Sequence, residues 1–148
     1  MKTQQGIKIL LADDDKDDRF FFKLALQGLE LPTTLITVND GQELIDYLGQ
    51  NKTNLPDILF LDLNMPKKNG FESLNEIMLD PAFKELPVVI YSTSYDEVVA
   101  EVLYDKGASF YIRKTDVEHL RKILQLFFSK YSANSFARPQ KNEFAFSV

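Results

Sequence analysis

We predict an α/β fold, a doubly wound parallel sheet of five strands, and two features of the sequence lead to this prediction. Short apolar runs alternate five times with longer segments whose apolar residues recur at the spacing of an α-helix. Four of these apolar runs end abruptly at charged or hydroxyl residues, as expected where parallel strands meet a crevice at their carboxyl ends. Strict alternation of strand and helix requires right-handed crossovers with helices on both faces of the sheet.

The composition fits one globular domain and narrows the kinds of partner. The chain has 148 residues, of which 45% are hydrophobic and 26% are charged, close to the average for globular proteins. Its net charge of -5 argues against a nucleic-acid binder, because contacts with phosphates need a basic surface. It contains no cysteine, so disulfides and thiolate metal sites are excluded. No apolar run suits a signal peptide or a membrane span, and we expect a cytoplasmic protein.

The five predicted strands are short runs of apolar or β-branched residues. They are Ile7 to Ala12, Thr34 to Val38, Ile58 to Leu61, Val88 to Tyr91 and Phe110 to Ile112. Each strand is followed by a helix, whose apolar stripe predicts the side that packs on the sheet. The stripes are Phe21, Phe22, Ala25, Leu26 and Leu29; Leu44, Ile45 and Leu48; Phe71, Leu74, Ile77 and Met78; Val98, Val99, Val102 and Leu103; and Val117, Leu120, Ile123, Leu124, Phe127 and Phe128.

Helical periodicity fades from Ser132 onward. We therefore divide the chain into one domain, residues 1–131, and a C-terminal tail, residues 132–148. The tail contains Pro139 and three isolated aromatic residues, Phe136, Phe144 and Phe146. Both disorder and docking of these aromatic side chains onto a neighbouring surface are compatible with this pattern.

Carboxylates follow two of the predicted strands. Asp62 comes directly after the run Ile58 to Leu61, and at that end of a parallel strand it faces a crevice. The alternative is an aspartate that merely caps a turn. The first strand is followed by five acids, Asp13, Asp14, Asp15, Asp17 and Asp18. Helix capping accounts for one or two of them, whereas a bound cation would offset the repulsion among the rest.

Side chains from four strand ends converge on one edge of the predicted sheet. They are Asp13 and Asp14, Asp62, Ser92 and Thr93, and Lys114. Mg²⁺ prefers one or two carboxylates together with water and a phosphate, while a lysine and a hydroxyl can each bind a phosphoryl oxygen. The central carboxylate, Asp62, is then placed as the nucleophile. The set predicts phosphoryl transfer that depends on Mg²⁺.

With these motifs the chain resembles the receiver domains of two-component response regulators, the CheY-like family, over roughly residues 6 to 130. The motifs are the pair Asp13-Asp14, the run Asp62-Leu-Asn-Met-Pro with Gly70 beyond it, the pair Ser92-Thr93, and Lys114. The resemblance implies a flavodoxin-like sheet with the strand order 2-1-3-4-5. It also implies that the protein accepts a phosphoryl group on Asp62 from a sensor histidine kinase and signals by altered protein binding.

The resemblance assigns ligands to the Mg²⁺ site. It implies that Asp14 binds the ion directly and Asp13 binds it through water. The backbone carbonyl of Asn64 and the acceptor Asp62 complete the protein ligands. Lys114 would contact the phosphoryl group itself.

The resemblance also implies a switch. It aligns Ser92 with the hydroxyl of the family that is drawn toward the phosphoryl group, and Tyr111 with the aromatic residue that then rotates inward from solvent. One residue departs from the family pattern, because Thr115 follows Lys114 where the family has a proline joined by a cis bond. A cis bond before a residue other than proline costs about 3 to 4 kcal/mol, so we predict a trans Lys114-Thr115 bond.

The partners implied are those of a stand-alone regulator. The paired Asp13-Asp14 and the long connection from Asp80 to Pro87 are similar to regulators associated with phytochrome-type sensor kinases. Such a kinase or a phosphotransfer protein would be the phosphoryl partner, and a downstream protein would receive the signal. A homodimer is a further expectation, formed by the face that contains the helix around Val98 to Tyr104, the fifth strand and the last helix.

Two other functions compete with this one. A Mg²⁺-dependent phosphatase of the haloacid dehalogenase type also uses an aspartate nucleophile at a strand end, but it needs a second Asp two residues later as general acid. Position 64 is Asn, which cannot transfer that proton. An interaction module independent of phosphorylation is the second alternative, and the acidic pair and Lys114 count against it. We therefore expect no enzyme activity beyond the protein's own phosphorylation and slow dephosphorylation.

Overall fold

The computed structural model describes residues 6–131 and 136–147. Within these residues the strands are β1 (Ile7–Ala12), β2 (Thr33–Val38), β3 (Ile58–Leu61), β4 (Val88–Ser92) and β5 (Phe110–Arg113). The helices are α1 (Lys16–Gln27), α2 (Gly41–Gln50), α3 (Gly70–Leu79), α4 (Glu97–Asp105) and α5 (Val117–Lys130), with short 3-10 turns at Pro81–Phe83 and Lys141–Glu143. Every predicted strand and helix is present. β2 begins one residue before its predicted start, and β4 and β5 each end one residue later than predicted.

The five strands form one parallel sheet in the order β2-β1-β3-β4-β5, which confirms the predicted fold class and strand order. The direction in which strands are added reverses at β1, whose neighbours are β2 and β3. Ala12 at the end of β1 pairs with Leu61 at the end of β3, so Asp13 and Asp62 leave the sheet side by side. Open α/β sheets bind their ligands in the crevice at such a reversal.

Apolar side chains fill both faces of the sheet. On one face α1 and α5 pack through a cluster of aromatic rings, and on the other α2, α3 and α4 pack through leucines and isoleucines. The ring centroids of Phe22 and Phe60 lie 5.0 Å apart, and those of Phe60 and Phe127 lie 6.4 Å apart, so α1 and α5 are anchored to the same central strand. No helix in residues 6–131 or 136–147 combines the length and the hydropathy that a membrane crossing requires.

Parts of two predicted apolar stripes are wrong. On α1 the buried residues are Phe22, Ala25 and Leu26, whereas Phe21 is 44% exposed. One residue along a helix is a rotation of about 100°, so Phe21 points away from the narrow arc that contacts the sheet. On α4, Val98 is 74% exposed, because Ala100 and Leu103 form the side that packs on the sheet.

The described part of the tail, residues 136–147, runs along the outer edge of β5. The N–H of Tyr111 donates to the carbonyl of Phe144 at 2.9 Å, and the N–H of Phe146 donates to the carbonyl of Tyr111 at 2.8 Å. These two bonds form a parallel bridge between Tyr111 and Ala145. The ring of Phe144 is buried against Tyr104, with centroids 5.4 Å apart. The tail segment therefore supplies partners to an edge that would otherwise be open.

Candidate functional site

Three carboxylates meet at the carboxyl ends of β1 and β3. Asp13, Asp14 and Asp62 each offer an oxygen, and these oxygens all lie within 4.8 Å of one another. Asp13 and Asp62 are buried and Asp14 is exposed. The backbone N–H of Asp62 donates to the carbonyl of Ala12 at 3.0 Å, which continues the β1–β3 pairing by one residue and brings the carboxylates together.

The loop after Asp62 folds back tightly onto it. The N–H of Gly70 donates to the carbonyl of Leu63 at 2.9 Å, and a Cβ at position 70 would lie 2.5 Å from the carbonyl oxygen of Asp62. Only glycine fits this contact. Lys67, near the tip of the loop, adopts a positive φ of 67°. Asn69 then caps α3 by a reciprocal pair of hydrogen bonds with Glu72, so the loop that presents Asp62 is held at both ends.

Lys114 reaches the carboxylates from β5. Its backbone N–H donates to the carbonyl of Ser92 at 2.7 Å, and no peptide bond in the described residues is cis, which confirms the predicted trans bond to Thr115. The Nζ atom of Lys114 lies 2.8 Å from Asp13 Oδ2, 2.9 Å from Asp18 Oδ2 and 3.4 Å from Asp62 Oδ2. The substitution of proline by threonine therefore does not remove the ammonium group from the site.

Burial changes the pKa values of the charged groups in this crevice. Loss of hydration raises the pKa of Asp62 to about 6, against the lowering effect of Lys114. Burial likewise raises the pKa of Asp13 above its ordinary value. For Lys114, burial alone would lower the pKa, but the hydrogen bonds with Asp13 and Asp18 and the charges of Asp13 and Asp62 outweigh it, so the pKa is raised. The ammonium group of Lys114 thus stays charged, and among the described residues it is the one positive charge that Asp13, Asp18 and Asp62 share.

The donor set fits a hard divalent cation. Asp13 Oδ2 is buried and accepts no aligned hydrogen bond, although it forms an ion pair with Lys114. Asp13 therefore keeps lone-pair capacity for a metal ion, and Asp14 and Asp62 each have an oxygen within 4.8 Å of it. The main chain at Asn64 lowers the pKa of Asp62, so it also borders the group. Oxygen ligands of this kind suit Mg²⁺, Ca²⁺ or Mn²⁺.

The two predicted switch residues lie on adjacent strands, but Tyr111 is not exposed. Ser92 ends β4 and is buried. Only 2% of Tyr111 is exposed, and its hydroxyl donates to the carbonyl of Ser94. The rings of Tyr95 and Phe144 cover it, with centroids at 5.0 Å and 6.0 Å. The expectation that Tyr111 starts from solvent is wrong for this structure, because the loop after β4 and the tail segment enclose it.

Sequence reasoning missed two neighbours of Lys114. The sequence pattern places Asp18 in the acidic cluster without a partner, whereas in the structure it forms an ion pair with Lys114. Placing the N-cap of α1 at Asp15 would have put Asp18 in the first turn, beside the crevice. The sequence predicts only that Tyr91 lies in a buried strand, yet the centroid of its ring lies 5.4 Å from Lys114 Nζ. Nothing in the sequence pattern signals that contact.

Comparison with known proteins agrees with this geometry. The sequence matches the family described as response regulator receiver domain over residues 9–125. It is 33% identical over 122 residues to the response regulator Rcp1 of Synechocystis sp., an alignment that covers 79% of this chain and 83% of Rcp1. It also spans about half the length of the transcriptional regulatory protein BtsR of Escherichia coli, at 27% identity over 118 residues.

Two solved structures share the fold and part of the sequence. The Mn²⁺-bound form of Rcp1 superposes with a TM-score of 0.73 at 32% identity, and the comparison covers 83% of this chain and 92% of that one. The phosphorylated cyanobacterial phytochrome response regulator RcpA superposes with a TM-score of 0.74 at 38% identity, over 84% and 92% of the two chains. The first relative binds a divalent ion and the second carries a phosphoryl group.

Proposed function

This chain belongs to the response regulator receiver domain family of two-component signalling, and from that premise we propose that Asp62 is the residue that accepts the phosphoryl group. One observation carries the proposal. Asp62 is a buried carboxylate, with an ammonium group 3.4 Å away and two further carboxylates within 4.8 Å. The nucleophile Asp62 is thus adjacent to an ammonium group that can pair with phosphoryl oxygens. It is also adjacent to two acids that can bind a metal ion.

The chemistry assigned to these residues is an in-line displacement. A carboxylate oxygen of Asp62 attacks the phosphorus of a phosphohistidine on the kinase or on a phosphotransfer protein. The new P–O bond forms as the P–N bond breaks, and the electron pair stays on the imidazole nitrogen, which takes up a proton. Lys114 then pairs with one phosphoryl oxygen, and the hydroxyl of Ser92 donates to another.

The ion in the proposal is Mg²⁺. Asp13, Asp14, Asp62 and the backbone carbonyl of Asn64 would hold it. When bound, it would supply positive charge against the phosphoryl oxygens. The mixture of two buried acids and one exposed acid leaves one side of the site open to water and to the incoming phosphoryl group, as Mg²⁺ sites require.

Receiver domain response regulators are generally signalling proteins that interact with kinases and downstream proteins. For this chain we propose that the phosphoryl donor is a sensor histidine kinase of the phytochrome type, because its relative RcpA is a phytochrome response regulator. The output surface would be the face formed by α4, β5 and α5, which would contact a downstream protein or a second copy of the chain. Because residues 136–147 pair with β5, any partner on that face meets the tail as well. The phosphatase alternative is not favoured, since the chain matches the receiver family and Asn64 cannot act as general acid.

Intact-mass spectrometry after incubation with a small phosphodonor and Mg²⁺ tests the proposal. We expect one phosphoryl group on the wild-type protein and none on Asp62→Asn. Asp46→Asn, which removes an exposed carboxylate on α2, is the matched control and should label normally. Asp14→Ala should reproduce the effect of chelation. A stoichiometric phosphoryl group on the Asp62→Asn protein would exclude Asp62 as the acceptor.

A further inference from the structure

Asp18 forms the one aligned side-chain hydrogen bond of Lys114 among the described residues. Lys114 Nζ donates to Asp18 Oδ2 at 2.9 Å. The side chain of Lys114 is 9% exposed and that of Asp18 is 31% exposed. Asp18 therefore lies at the mouth of the crevice, whereas Asp13 and Asp62 lie at its floor. An ion pair so shielded is worth more than an exposed one, because little water screens it.

The carboxylate of Asp18 stands on a rigid support. Asp15 caps α1 and accepts the backbone N–H of Asp18 at 3.1 Å. One turn further on, Phe22 is fully buried and locks α1 to the sheet. A charged group on a capped, buried helix loses little freedom when it binds a partner. Lysine, by contrast, has a long flexible stem and must be held by its surroundings.

The neighbours of Lys114 surround the ammonium group on three sides. Asp18 lies toward α1, Asp13 lies toward β1 at 2.8 Å, and the ring of Tyr91 lies 5.4 Å away. An ammonium group has three N–H bonds. One of them is directed at Asp18. Asp13 Oδ2 and Asp62 Oδ2, which lies 3.4 Å away, are ion-pair partners of the same nitrogen.

We propose that Asp18 is a positioning residue that holds the Lys114 ammonium group beside Asp62 before the phosphoryl group arrives. This inference rests on the role proposed above for Lys114. A preorganised cation stabilises charge in the transition state without spending free energy on its own ordering. Loss of Asp18 frees the lysine stem, so the ammonium group must be recruited during each transfer.

The neighbouring acid, Asp17, supplies a matched control. It lies in the same first turn of α1, its backbone N–H also donates to Asp15, and its side chain is exposed. Within residues 6–131 and 136–147 it forms no ion pair with Lys114. Asp17→Ala therefore removes the same charge from the same end of the helix and leaves the lysine contact in place.

The first test compares labelling rates with a small phosphodonor at saturating Mg²⁺. We expect Asp18→Ala to slow labelling about tenfold, Asp17→Ala to stay within about twofold, and Asp18→Glu to recover part of the loss. In a Lys114→Met background, Asp18→Ala should cause no further loss, because a positioning residue has nothing left to position. Equal slowing in both backgrounds overturns the proposal, and so does faster labelling of Asp18→Ala, which would mean that Asp18 competes for the lysine.

A second measurement follows Lys114 directly. NMR relaxation of its ε-methylene group in unphosphorylated protein should show greater mobility in Asp18→Ala and no change in Asp17→Ala. Unchanged mobility in Asp18→Ala overturns the proposal even if the Lys114→Met protein labels too slowly for a rate. If Lys114→Met labels at the wild-type rate while the NMR result is as expected, the contact stands and the proposed role of Lys114 fails.

Discussion

Lys114 Nζ lies only 3.4 Å from Asp62 Oδ2, and yet the pKa of the Asp62 carboxyl is raised to about 6. Loss of hydration raises this pKa, and the nearby charge of Asp13 adds to the rise, whereas Lys114 lowers it by less. Burial then dominates. Without a bound cation, the ionised form of Asp62 opposes folding at neutral pH.

The first prediction is that Asp62→Asn stabilises the metal-free protein. In the unfolded chain an aspartate titrates near about pH 4, so between that value and about 6 the folded state holds more protons, and stability falls as pH rises through this window. Above about pH 6, the difference between these two pKa values corresponds to about 3 kcal/mol. Urea unfolding with chelator at about pH 7.5 should therefore show a higher midpoint for Asp62→Asn.

The pH series supplies the control for this prediction. The advantage of Asp62→Asn should shrink as the pH falls and should vanish below about pH 4, where wild-type Asp62 becomes protonated in both states. Asp46→Asn, on the exposed surface of α2, should track the wild type throughout. An advantage independent of pH, or none at neutral pH, would show that ionisation of Asp62 is not the cause.

A second prediction concerns the tight loop that presents Asp62. Gly70→Ala places a Cβ 2.5 Å from the Asp62 carbonyl oxygen and 2.7 Å from Leu63 Cα. Because both atoms are backbone, the loop must move. We expect a loss of stability of about 2 kcal/mol or more and slower labelling of Asp62 by a small phosphodonor.

The contrasting glycine is Gly49 in α2, where no atom lies within 4 Å of a new Cβ. Gly49→Ala should stabilise the protein by about 0.5 to 1 kcal/mol, since alanine favours the helix, and labelling should not change. The pair is compared by urea unfolding and by mass spectrometry. Equal effects at positions 49 and 70 would contradict the close contact at Gly70.

The sequence predicts the strands better than the helix faces, and the reason is physical. Strands buried on both sides need continuous apolar runs, so the run Ile58 to Leu61 is readily predicted as a strand. A helix can bury a narrow or a wide arc, and the chain alone does not say which. On α1 the buried arc excludes Phe21, and on α4 it excludes Val98.

The residues of the candidate site also differ in how far the sequence predicts them. Asp13, Asp14, Asp62, Ser92 and Lys114 could be predicted because each follows or ends a strand, and parallel strand ends share one edge. The contact of Asp18 with Lys114 depends on the distance between α1 and β5, which no local pattern encodes. The burial of Tyr111 depends on the tail segment, whose aromatic residues have no periodicity.

A third prediction tests that tail segment. Phe144 is 3% exposed, whereas Phe20 on α1 is 54% exposed. We expect Phe144→Ala to lower the free energy of unfolding by about 3 kcal/mol and Phe20→Ala to change it by less than about 0.5 kcal/mol. Urea unfolding of both variants measures the difference. If Phe144→Ala costs no more than Phe20→Ala, the tail does not pack on β5 in solution.

The last prediction concerns how phosphorylation of Asp62 reaches the surface. The new phosphoryl oxygens should draw the hydroxyl of Ser92 into a hydrogen bond with a charged group, worth on the order of 1.5 to 3 kcal/mol. The next strand carries Tyr111, whose hydroxyl is already bonded to the carbonyl of Ser94 and whose backbone is bonded to Phe144 and Phe146. A shift at Ser92 therefore acts on a residue tied to both the loop after β4 and the tail.

Two variants separate acceptance of the phosphoryl group from this output. Ser92→Ala should still label at Asp62 but lose most phosphorylation-dependent association in partner pull-down or sedimentation. Tyr111→Ala should do the same, whereas Tyr111→Phe, which keeps the ring and loses only the bond to Ser94, should retain part of it. Hydrogen exchange at the Phe146 amide should quicken on phosphorylation of the wild type alone. If Ser92→Ala and Tyr111→Ala both leave the association unchanged, the signal leaves through another element, because no path from Asp62 to the tail then requires either residue.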